Sequence, residues 1–111
     1  MRVYFVGAGP GDPELITVRG KSLLEKADVI IYAGSLVNPQ LLDYAREEAQ
    51  IYNSASMNLE EMVKIMEEGV AAGKMVVRLH TGDPGLYGAI QEQIKLMEAR
   101  NIPCEVVPGV S

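Results

Sequence analysis

Two copies of one tripeptide, Gly11-Asp12-Pro13 and Gly82-Asp83-Pro84, each follow an apolar run and precede an amphipathic one. This order of residue types predicts a strand, a sharp loop and a helix start. Glycine lets the backbone turn tightly and lets a ligand approach it. Aspartate accepts from the free N–H groups at a helix N-terminus, and proline at the first helical position lacks a donor that would be orphaned there. In an open parallel sheet such loops lie beyond the carboxyl ends of the strands, where ligands bind. Plain capping explains the same residues, and a cap worth about 1 kcal/mol can coexist with ligand contact.

The chemistry of the two loops narrows the ligand. Gly7-Ala8-Gly9-Pro10-Gly11-Asp12 invites a dinucleotide reading, which fails on three counts. The fingerprint needs its third glycine one position later, where Asp12 stands. Pro10 removes a backbone donor. Asp12 puts a negative charge where a pyrophosphate would sit. No acidic residue ends the second strand, and no lysine of a nucleoside-triphosphate loop is present. Carboxylates without a lysine suit a neutral or cationic ligand that has no phosphate. S-adenosylmethionine, with its ribose, adenine, ammonium and sulfonium, fits. His80 ends an apolar run and reads as a hydrogen-bonded rim residue rather than a catalyst. A single His and a single Cys, far apart, argue against a metal site.

The elements that must position these loops alternate along the chain. Arg2–Val6, Asp28–Tyr32, Gln50–Asn53, Lys74–Leu79 and Pro103–Val107 are short apolar runs with β-branched or aromatic members, which predict strands. Glu14–Lys26, Gln40 to about Glu48, Leu59–Ala72 and Ala89–Arg100 predict helices. Asp12-Pro13 and Asn38-Pro39 fit the starts of the first two. Asn58 with Glu61 makes a capping box, and Gly73 ends the third helix. Met62, Met66 and Met97 fall at core spacing, and Cys104 reads as a small buried hydrophobe. About five strands alternating with about four helices predict a three-layer α/β sandwich with a mostly parallel sheet. Strands one and four should be neighbours if both acidic loops share a cleft.

The 111 residues suit one domain, and 48% hydrophobic content allows a real core. A net charge of −5 argues against a nucleic-acid face. The first residues are too short an apolar run for a signal peptide, no run approaches membrane-spanning length, and a lone cysteine fits a reducing cytoplasm. The chain stops on Val107-Pro108-Gly109-Val110-Ser111, straight after a predicted strand. This reads as an N-terminal domain, 1–111, whose linker to a second domain begins there.

At this point the sequence resembles the tetrapyrrole methylase family, S-adenosylmethionine-dependent methyltransferases of corrin and sirohaem synthesis. The matching pieces are Tyr4 to Thr17, Thr81-Gly82-Asp83-Pro84 and Val107 to Ser111. Ile31 to Val37, Leu59-Glu60-Glu61-Met62 and Val77 to Ile90 with Glu92-Gln93 are most similar to the branch that methylates C11 of precorrin-4 or cobalt-precorrin-4 in cobalamin synthesis. Some members of that branch have Asp where this chain has Gly34. The resemblance implies a two-domain, homodimeric cytoplasmic enzyme with the methyl donor between its domains. It implies that Pro10, Thr81, Gly82, Asp83 and Ser111 contact the cofactor, with Leu86 and Tyr87 lining the same pocket. It implies that the Gly7–Asp12 loop, with Gly9 and Gly11, faces the tetrapyrrole. Tyr32 and Ser35 are the substrate-side candidates after the second strand, and Asp12 is the candidate base. Other tetrapyrrole methylases and diphthine synthase share the fold and glycine loop. A flavodoxin-like binding module and an inactive fragment are the non-enzymatic alternatives.

Overall fold

Successive side chains of a strand point to opposite faces, so near-continuous apolar runs require a sheet buried on both faces. The computed structural model describes residues 2–9, 11–34, 37–81 and 87–109, with residues 87–89 as backbone alone. Strands β1 (Val3–Gly7), β2 (Val29–Tyr32), β3 (Gln50–Asn53), β4 (Val76–His80) and β5 (Cys104–Val107) form one sheet in the order β3-β2-β4-β1-β5. Every pairing is parallel. β1 lies beside β4, as the shared-cleft argument requires, with Gly7 opposite His80.

Val3, Phe5, Val29, Ile31 and Val76 cluster with Val63 and Met66 of α2 (Leu59–Ala71) and with Ile90, Ile94 and Met97 of α3 (Tyr87–Ala99). Val6, Ile30, Val77 and Leu79 alternate with them and cluster with Leu23 and Leu24 of α1 (Val18–Lys26) and with Leu41. Helices therefore cover both faces, the three-layer arrangement expected. Each fully buried Leu, Ile or Phe contributes roughly 1.5–3 kcal/mol of transfer free energy. Met66 and Met97 are core and Met62 packs against it, while Cys104 is only half-buried.

Two crossovers differ in detail from the sequence reading. Asp12 caps a 3₁₀ turn, Pro13–Leu15, rather than the helix; Ile16 is extended, and Thr17 caps α1 by accepting from Gly20 N at 3.0 Å. Thr17 wins because burying Ile16 in the α1 core needs extended backbone there. The second crossover is a 3₁₀ run, Pro39–Tyr44, shorter than the helix expected. Leu41 is its one buried residue, so too little packing surface exists to extend it. The capping box of α2 forms as read, with Glu61 N donating to Asn58 at 2.8 Å and Asn58 N to Glu61 at 3.4 Å. Among the described residues no helix is long and apolar enough to cross a membrane.

Candidate functional site

The site is built at the carboxyl rim of the sheet. The chain leaves β1 toward α1 on one face and leaves β4 toward α3 on the other. Adjacent strands whose connections part in this way open a crevice between them, the ligand position of open α/β sheets. The two strand ends are fastened where they part, with Ala8 N donating to His80 O at 2.7 Å.

β5 closes against the same rim. A Cβ on Gly7 would lie 2.4 Å from Gly109 N, and one on Gly109 would lie 2.9 Å from Gly9 N. Two backbones touch here, and only glycine allows it. Gly9 and Gly11 have φ of 82° and 113°, so the loop after β1 also needs glycine for its path. The loops after β1 and β5 thus meet at the rim, beside the end of β4. Sequence reasoning picked out Gly9 and Gly11 but missed Gly109 as their packing partner. Nothing local in Pro108-Gly109 signals a contact with a residue near position 7.

Beneath the rim lies a buried cation. Arg78 of β4 is 6% exposed, and its guanidinium donates to Gln93 Oε1 (3.3 Å), Ile31 O (3.3 Å) and Leu79 O (3.1 Å). Burial lowers its pKa to about 10, so it stays charged at neutral pH. It ties the ends of β2 and β4 to α3. His80, two residues on, shares its Nδ1 with the Thr81 carbonyl at 2.7 Å. A carbonyl only accepts, so Nδ1 carries the proton and Nε2 the lone pair. Nε2 is sealed from solvent with no hydrogen-bond partner among the described residues. Burial, with a smaller push from Arg78, lowers the His80 pKa against the opposing Thr81 hydrogen bond. His80 is thus a hydrogen-bonded histidine at the rim, held toward its neutral form.

The candidate residues fall as follows. Gly9, Gly11 and Asp12 follow β1, Thr81 follows β4, and Tyr32 ends β2; all lie on the carboxyl rim. Asp12 is exposed and its carboxylate accepts from Glu14 N at 2.9 Å. Thr81 is half-buried. Tyr32 is half-buried against the core on the α1 face. Pro10, Ser35, Gly82, Asp83, Leu86 and Ser111 lie outside the described residues, as does the side chain of Tyr87, whose backbone opens α3. A Cβ at Gly34 would sit 2.6 Å from Asn53 Oδ1 and 2.7 Å from Ala55 Cβ, so a larger residue there requires these side chains to shift. Among the described residues no group of His, Cys, Asp and Glu could hold a metal ion.

A parallel α/β domain with a glycine loop and Asp12 after β1, beside the end of β4, defines the class of open α/β sheets that take a ligand at the carboxyl rim. The sequence model of the Tetrapyrrole (Corrin/Porphyrin) Methylases matches residues 2–111, and the chain belongs to that family. It is 62% identical over 110 residues to the cobalt-precorrin-4 C(11)-methyltransferase of Methanocaldococcus jannaschii, covering 99% of this chain and 42% of that protein. It is 50% identical to the precorrin-4 C(11)-methyltransferase of Pseudomonas aeruginosa, covering 100% of this chain and 44% of that one. Among solved structures, a cobalamin biosynthetic cobalt precorrin-4 methyltransferase superposes with a TM-score of 0.92 at 51% identity, over 99% of this chain and 46% of that chain. A uroporphyrin-III C-methyltransferase of Thermus thermophilus, complexed with S-adenosyl homocysteine, gives 0.84 at 38% identity, over 100% and 49%. The chain spans less than half the length of each of these proteins.

Proposed function

We propose that this chain is the N-terminal half of a C-methyltransferase that acts at C11 of precorrin-4 or cobalt-precorrin-4 in cobalamin synthesis. The observation that carries this reading is the 62% identity to a C(11)-methyltransferase across 99% of the chain. The rim chemistry agrees with the methyl donor. Among the described residues its loops offer glycine backbone, Asp12 and Thr81, and Arg78 beneath them is engaged by Gln93 and two carbonyls. S-adenosylmethionine would supply the methyl group on a sulfonium.

The residues of this chain do the rest by placement. Thr81, with Pro10, Gly82, Asp83, Leu86, Tyr87 and Ser111, would hold the donor beside the β4 loop. Gly9, Gly11, Tyr32 and Ser35 would line the macrocycle side. C11 would attack the methyl carbon in line as the sulfonium–methyl bond breaks and S-adenosylhomocysteine leaves, and holding the two carbons in register in a dry cleft can lower the barrier by roughly 7–11 kcal/mol. Asp12, on the glycine loop, is the base that takes up the proton released from the macrocycle. The second domain of the complete enzyme closes the other side of the cleft, and the enzyme works as a homodimer in the cytoplasm.

The test is a methyl-transfer assay on the complete enzyme with precorrin-4, cobalt-precorrin-4 and uroporphyrinogen III in parallel, the products read by mass spectrometry. A single methyl gained by either of the first two supports the reading. Turnover of uroporphyrinogen III alone would move the enzyme to the other branch of the family. In the same enzyme Asp83→Ala should weaken S-adenosylhomocysteine binding in a calorimetric titration; unchanged affinity would leave Asp83 as a helix cap.

A further inference from the structure

The glycine loop after β1 takes a path that should be hard to hold. Gly9 and Gly11 both have positive φ, and glycine loses more freedom on ordering than any other residue. Its fastening comes from the second crossover, far off in sequence. Asn38 Nδ2 donates to Gly11 O at 2.8 Å, across 27 residues. Tyr44 OH donates to Pro13 O at 3.2 Å. Asn38 is itself immobilised. Its Oδ1 accepts from Gln40 N at 2.9 Å as the cap of the Pro39–Tyr44 run, and Leu41 of that run is 0% exposed in the α1 core. One amide group therefore uses its acceptor on its own element and its donor on the glycine loop.

We propose that Asn38 is a positioning residue, whose amide donor fixes the glycine loop at Gly11 before the macrocycle arrives. The macrocycle's place against this loop rests on the function proposed above; the fastening of the loop does not. The chemistry singles out asparagine. Aspartate caps a helical turn as well as asparagine does but has no donor. Its carboxylate would face the Gly11 carbonyl, acceptor against acceptor. Asn38→Asp therefore separates the two roles: it keeps the cap and removes the fastening.

Two measurements on the complete enzyme decide the matter. Amide hydrogen exchange reads the loop without any turnover. Asn38→Asp should speed exchange of the loop amides between Gly7 and Glu14 about tenfold, the loss of one part-buried hydrogen bond, and leave α2 and α3 unchanged. Steady-state kinetics should show kcat/KM for the macrocycle lower by about tenfold, mostly through KM, with S-adenosylhomocysteine affinity within about twofold of wild type. Tyr44→Phe should give a weaker effect of the same kind. Loop exchange at the wild-type rate in Asn38→Asp would overturn the proposal and leave Asn38 as a cap alone. Faster exchange with wild-type KM would overturn the part that concerns the macrocycle. A wild-type enzyme inert toward precorrin-4 would count against the proposed function, and the exchange result would still decide whether Asn38 fastens the loop.

Discussion

His80 is held neutral by its surroundings, and that has a consequence for pH. Its pKa in the folded chain lies below the ordinary histidine value of 6.5, chiefly through burial. The unfolded chain thus binds the proton more readily than the folded one. Stability from this group is fully present above pH about 6.5 and is lost as pH falls from there toward the folded-state pKa. Urea titrations at pH 7.5, 6.5 and 5.5 should show the midpoint falling with pH, and His80→Gln should flatten part of that fall. Parallel curves for the two proteins would mean the imidazole titrates as it does in water. Arg78 makes a second case. Replacing it with Met leaves Gln93 Oε1 and the Ile31 carbonyl without their donor, at about 1–3 kcal/mol for each buried group. Arg78→Lys should recover only part of this, because a single ammonium cannot reproduce the guanidinium fork. Denaturant midpoints check both variants. The sequence placed Arg78 in a strand and His80 at its end. It said nothing of Gln93 turning inward at 4% exposure, because a polar residue on an amphipathic helix reads as solvent-facing until its partner is known.

At the level of elements, the sequence was a good guide wherever a local rule decides. The strands are set by apolar runs, the start of α2 by its capping box and its end by Gly73 at φ 76°. It was a poorer guide where two local rules competed. Asp12-Pro13 and Thr17 both cap, and the contest went to Thr17 because Ile16 is buried in extended form. It was silent on the contact of Gly7 with Gly109, which depends on β5 lying beside β1. That contact allows a paired prediction. Gly7→Ala puts a methyl 2.4 Å from a backbone nitrogen that cannot move without shifting the loop after β5. Gly11→Ala meets nothing within 4 Å but must hold φ near +113°. The second should lose about 1–3 kcal/mol, the usual range for strained backbone, and keep the rim intact. The first should lose more and displace the segment after β5. Thermal melts, with amide exchange at Gly109, distinguish them; equal losses with Gly109 undisturbed would show that the approach is less tight than the geometry indicates.

For the whole molecule, the rim is one wall of a cleft on the function proposed above. Ligand sites of this kind bury most of the ligand surface, about 70–90% for one of this size. On that reading the chain supplies only one wall, and the second domain supplies the rest. Residues 1–111 expressed alone should therefore bind S-adenosylhomocysteine at least about a hundredfold more weakly than the complete enzyme, a difference of about 2.7 kcal/mol. They should transfer no methyl group to precorrin-4. Calorimetry and the mass-spectrometric assay, each run beside the complete enzyme, measure both quantities. The outcome is informative in either direction because the two α/β cores on the faces of the sheet are already closed by α1, α2 and α3. If the isolated chain keeps its helical and sheet signals but loses the ligand, the missing half supplies binding rather than folding. Wild-type affinity in the isolated chain would place the donor wholly on the loops after β1 and β4, and the second domain would then serve the macrocycle alone.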